Sequence, residues 1–287
     1  MTVSTEDPQI PTSLSWRALP FTEEKAQVFY FWYGVWAAFW LVIYFVGGYT
    51  HPIPSAWAAR MKPYDKLIWR HRVISIYHAC LALSFSTYWY VSDLDMSCSK
   101  PNTSLEVCLA ANTAMYLAVD GLFMKVNGFL DNGNFWHHVF GFLGYTSSAY
   151  LQFNMGFLAM LLWPAEITNI QMNLREVYKR LGWRYTKAYY FNEFQYFVLY
   201  FIVRTTWIPA TYYFMFNCET LNPIIAVIFP LHVAMNYYYS SHIPNLFKHR
   251  MREIKTIKSH GELQWFTPLD QSVIDKLGIK SYETYKT

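Results

Sequence analysis

His137 and His138 stand side by side at the head of an apolar run, GNFWHHVFGF, residues 133–142. Histidine titrates near neutral pH, so such a pair can pass a proton, bind a metal or hold an anionic headgroup. Adjacent helical positions point about 100° apart, so the two do not hold one metal ion from one face. The chain also lacks the repeated histidine boxes that a dinuclear centre would want. Further ionisable or amide groups fall inside apolar stretches: His78, Asp120, Glu166, Asn169, Arg204 and His232. Such groups are costly at membrane depth and usually face a bundle interior. Together these eight residues are candidates to line one polar cavity enclosed by helices. No residue is assigned a catalytic role. No metal or cofactor is expected.

Each candidate has a packing alternative. His78, in RVISIYHACLAL, can serve as a hydrogen-bonded core histidine. Asp120 and Arg204 can neutralise each other across two helices. Glu166 follows Pro164 in LLWPAEITN. Proline frees a carbonyl one turn back and kinks a helix. Glu166 then either faces the opened space or joins Thr168 and Asn169 as interhelical glue. Aromatic runs such as FYFWYGVW and YYYSSH fit interface belts and packing rings, not a cofactor site.

The elements that must carry these groups follow from composition. Of the 287 residues, 54% are hydrophobic, 20% aromatic and only 15% charged. A soluble domain carries about 25% charged residues, so the chain reads as an integral membrane protein. Seven apolar stretches lie near 27–48, 72–92, 106–126, 135–152, 154–173, 191–216 and 222–244. Most reach the ~20 residues that cross a bilayer core. The expected fold is all-α, a polytopic bundle of about seven transmembrane helices. A polar arm covers 1–26, the bundle 27–245 and a polar tail 246–287. In the tail, a helix is expected to continue out of the membrane, Pro268 to interrupt it, and SVIDKLGI to form a short amphipathic helix. The N-terminal arm lacks a basic, apolar leader, so the first span is expected to direct insertion.

Basic residues crowd alternate loops, from Arg60 to Arg72, from Arg175 to Lys187 and from Lys248 to Lys258. The other loops are acidic on balance. This places the N-terminus outside and the C-terminus on the cytosolic or matrix side. The net charge of +4 is then no nucleic-acid footprint; the basic side chains are expected to snorkel toward anionic lipid. Cys98 and Cys108 flank one polar loop and could pair in an oxidising compartment. Trp16, Phe21, Trp265, Phe266 and Tyr285 could dock on other membrane subunits.

Five segments in order resemble the TLC-domain family, which includes the ceramide synthases. They are WRHRVISIYHACLAL, MYLAVDGLFM, GNFWHHVFGFLGYTSSAY, AEITNIQMNLREVYKRLG and FVLYFIVRTTWIPATYY, within roughly 65–245. Ceramide synthases transfer an acyl chain from acyl-CoA to a sphingoid base. Their motif adds a His-Asp and a further Asp in the helix after the histidine pair, where this chain has AMLLWPAEITN with Glu166 alone. The resemblance therefore implies the non-synthase branch, linked to lipid handling, with the eight polar residues as candidate contacts to a lipid headgroup and a phospholipid as the expected bound molecule. The expected function is lipid binding or organisation without catalysis, as an accessory subunit of a larger assembly in the endoplasmic reticulum or the inner mitochondrial membrane. The alternative is an acyl-CoA-dependent lipid acyltransferase.

Overall fold

A computed structural model describes residues 21–50, 53, 58, 61–98, 100–259 and 261–278. Among them there is no β-strand. The helices are α1 (Glu23–Thr50), α2 (Pro63–Ser92), α3 (Ser104–Val126), α4 (Asn132–Leu151), α5 (Met155–Arg180) and α6 (Lys187–Ile202). A π-turn, Val203–Trp207, joins α6 to α7 (Ile208–Phe216), followed by α8 (Pro223–Lys258) and α9 (Gln271–Lys276). Helix α1 by itself, over Glu23–Val46, and α3 are long and apolar enough to cross a membrane.

Helix α1 lies parallel to α3 and is joined to it by a ladder of side chains four residues apart. Trp32 donates to Ser104, Trp36 to Cys108 Sγ, Trp40 to Asn112 and Tyr44 to Asp120. Residues at i and i+4 share a helix face, so one stripe of the FYFWYGVW region packs inward while Phe31 and Phe45 stay exposed. The main core gathers Trp40, Trp89, Leu109, Met155, Met215 and Phe229. Truncating a buried tryptophan of this kind costs about 3–5 kcal/mol.

Connections alternate between two ends of the bundle. At one end, 93–103, 152–154 and 217–222 are knotted by side chains. Cys98 and Cys218 form a disulfide with Cα atoms 5.3 Å apart. Asn154 donates to the carbonyls of Cys98 and Thr220 and accepts from the Asn222 N–H. The Cys98–Cys108 pairing considered from sequence is thus not made: Cys108 lies on the buried face of α3, under Trp36. Thr103 and Glu106 form a capping box that starts α3. Gly156 is needed here, because an added Cβ would meet the Asp95 carbonyl at 2.8 Å and the Trp89 ring at 3.3 Å.

The opposite end holds the basic loops. Arg175 Nε donates to Glu193 (2.7 Å), whose other oxygen lies 3.0 Å from Arg250. Glu253 accepts from Arg250 and from Arg184, each at 2.9 Å, and Arg180 pairs with Asp65. The expectation that basic residues snorkel to lipid fails for these arginines, which are tied within the protein. The tail is docked as well. The first N–H groups of α6, which have no intrahelical acceptor, find the carbonyls of Gln264 and Trp265: Lys187 N donates at 2.8 Å and Ala188 N at 3.2 Å. Leu263, Ile257 and Ile274 of α9 pack with Tyr185, Tyr189 and Tyr190. Trp16 and Tyr285 lie outside the described residues. Phe21 packs on Phe29 and Tyr150, while Trp265 and Phe266 are exposed.

Candidate functional site

Helices α2, α3, α4, α5, α7 and α8 enclose a cavity of about 170 Å³ with the π-turn. One buried water needs about 10–15 Å³, so the space is an order of magnitude larger than a water site. His78, Asp120, His137, His138, Glu166, Asn169, Arg204 and His232 all border it. Its two halves differ. Along α5 from the disulfide end the lining runs Leu158, Leu161, Leu162, then Glu166, Asn169, Asn173. Along α8 it runs Ile225, Phe229, then His232. The cavity is therefore apolar toward the disulfide end and polar toward the basic end.

Three proline and helix features shape this wall. Pro164 lacks an N–H and leaves the Met160 carbonyl without its helical donor; the Trp207 indole N–H donates to it at 3.2 Å. Pro209 does the same to Thr205, whose carbonyl accepts from the Tyr237 hydroxyl at 3.1 Å. The widened π-turn before Pro209 carries Arg204 to the cavity. Helix α5 runs on through Pro164 to Arg180, and Glu166 faces the cavity one turn beyond Leu162.

Asp120, 2% exposed, anchors the polar half. It accepts from His138 Nε2 at 2.7 Å and from the Tyr44 hydroxyl. His71 Nε2 lies 2.9 Å away, close enough for charge attraction though off the hydrogen-bond direction. His138 Nδ1 faces the Asn134 carbonyl at 2.6 Å. Both ring nitrogens of His138 thus meet acceptors, and both are satisfied only when both carry protons. The ring is held in place and offers neither nitrogen to the cavity.

The Asp120–Arg204 pairing considered from sequence is not made. Arg204 Nη1 donates to Asn236 (3.0 Å), and its guanidinium lies 5.0 Å over the Tyr200 ring. His78 stacks on Tyr116 at 3.8 Å and stands 3.8 Å from Glu166, which accepts from Asn169. His137 is half-buried, its ring 6.3 Å from that of His232; Tyr212 Oη and His232 Nδ1 are 3.0 Å apart. Among the described residues no three His, Cys, Asp or Glu side chains converge as metal ligands.

Sequence reasoning missed His71, Arg72, Tyr44 and Tyr212. His71 was hidden in the basic flank WRHR, yet with Ser75 and His78 it makes an i, i+4, i+7 face. That spacing was the available signal. Tyr44 and Tyr212 were lost among many tyrosines.

Helices packed around a cavity with one polar end define an all-helical bundle with a two-sided interior pocket. The family model for the TLC domain matches residues 68–245, and the chain belongs to that family of membrane proteins. No curated protein matches the chain.

Proposed function

We propose that the chain is a lipid-binding TLC membrane protein that works without catalysis, organising lipid as an accessory subunit of a larger membrane assembly. The observation that carries this reading is the two-sided cavity, with Leu158, Leu162 and Phe229 at one end and Asp120, Glu166 and Asn169 at the other. A phospholipid placed there sets its headgroup in the polar half and an acyl chain in the apolar half. The engagement of both His138 nitrogens supports a positioning role for that ring. Exposed Trp265 and Phe266, beside the docked tail, offer a surface to other subunits.

Seven crossings, with the N-terminus outside, are supported by the alternating connections. The disulfide end then faces an oxidising compartment, where such bonds persist. The basic end faces the cytosol or the matrix, in the endoplasmic reticulum or the inner mitochondrial membrane. Native mass spectrometry of protein gently extracted from its own membrane tests the reading. A defined lipid on the chain and partner masses are expected; a bare chain with no lipid above the bulk membrane content overturns it.

An acyltransferase is the second reading, favoured by the Asp120–His138 pair at the cavity wall. Turnover of acyl-CoA with amine or alcohol acceptors by the purified wild-type chain would establish it in place of the first.

A further inference from the structure

Arg204 is 6% exposed, so more than nine-tenths of it is removed from solvent. Its Nη1 is bound by Asn236 and its plane rests on Tyr200. Its Nε has no hydrogen-bond acceptor, and among the described residues no carboxylate lies within 4.0 Å of the guanidinium. Neither cavity carboxylate touches it: Asp120 is engaged by His138, His71 and Tyr44, and Glu166, which accepts from Asn169 with His78 3.8 Å away, reaches Arg204 only across more than 4.0 Å. A guanidinium keeps its charge even when buried. A buried charge without a counter-ion is costly.

The geometry supplies the missing group's shape. With Nη1 held by Asn236, the Nε–Nη2 edge is the fork that grips two oxygens of one planar or tetrahedral anion. Neighbouring donors stand on the same wall. Asn236 donates to the His232 carbonyl, His232 meets Tyr212, and the His232 ring faces His137. Beyond Arg204, toward the disulfide end, the lining becomes Ile208, Ile225, Ile228 and Phe229. At about 170 Å³ the space is smaller than the ~300–1,000 Å³ of pockets for drug-sized ligands, which leaves no room for two chains.

We infer that Arg204 is the counter-ion for the anionic headgroup, carboxylate or phosphate, of a single-chain amphiphile whose tail lies along Ile208 and Phe229. This rests on the lipid-binding reading above and narrows it to a ligand class.

The test is retention by the full chain in detergent, read by native mass spectrometry, with four probes. Oleate and oleoyl-lysophosphatidate carry the anion, monooleoylglycerol carries the same tail without charge, and inorganic phosphate carries the anion without a tail. Both anionic lipids are expected to be retained about tenfold or more over monooleoylglycerol. In Arg204→Gln the preference collapses while monooleoylglycerol is still held. Because the wild-type comparison needs no variant, misfolding of Arg204→Gln leaves the test intact. Equal retention of monooleoylglycerol by the wild type overturns the inference and leaves lipid binding standing. Retention of none of the three lipids overturns both. Displacement of lysophosphatidate by an equal concentration of phosphate assigns the site to a free anion and overturns the lipid source.

Discussion

His138 and Asp120 show how little a residue's type says without its partners. Two titratable groups beside a cavity suggest proton transfer, yet Asp120 is spent holding His138, Tyr44 and His71 in place. Asp120→Asn keeps the shape and removes the charge that balances His138. It should lower stability by about 3–5 kcal/mol, the range for breaking a buried ion pair from one side, seen as a drop in the thermal midpoint in detergent. A midpoint unchanged by the substitution would remove Asp120 from this structural role. The sequence made the polar candidates legible, because ionisable groups stand out against apolar runs. It did not make their pairing legible. Asp120 faces His138 and not Arg204 because of the order and rotation of helices, which no local pattern carries.

At the scale of elements, the helices were legible from apolar length, and the short helix Gln271–Lys276 from SVIDKLGI. The π-turn was not, since Pro209 signals a disturbed helix without saying which side chain repairs it. Trp207→Phe orphans the Met160 carbonyl and Tyr237→Phe that of Thr205. Each should cost about 1–3 kcal/mol, and each should loosen amide exchange near its own carbonyl and not at the distant turn. The charged last turns of α5, past its apolar stretch, give a pH prediction. Burial pulls the Glu176 carboxyl upward, but Lys179 and Arg175 outweigh it and hold it down to about 2. In the unfolded chain it returns to about 4.5. Its contribution is therefore complete above pH ~4.5 and lost as pH falls toward 2. The stability of Glu176→Gln should fall less steeply across that window, by on the order of 2 kcal/mol. Parallel curves would show that the ion pairs there contribute nothing.

For the molecule as a whole, the disulfide decides which connections share an end. Sequence proximity offered only Cys108 as a partner for Cys98, whereas the partner in space arrives 120 residues later, at Cys218. Closing so long a loop should stabilise the fold by about 4–5 kcal/mol. In denatured, unreduced protein an alkylating reagent should add to Cys80 and Cys108 alone, and to all four cysteines after reduction; four additions without reductant would disprove the bond. Charge asymmetry was legible from the start, but the inward turn of Arg175, Arg184 and Arg250 was not, because each meets a carboxylate from a different helix: Glu193 for Arg175 and Arg250, and Glu253 for Arg184. The docked tail, finally, bears on biosynthesis. The opening N–H groups of α6 are closed by the carbonyls of Gln264 and Trp265, which leave the ribosome only after the whole of α8. A message cut short just after α8 would yield a chain with every apolar column inserted and the start of α6 still open. Quality control would have to recognise that product by an unfinished helix end, not by a missing span.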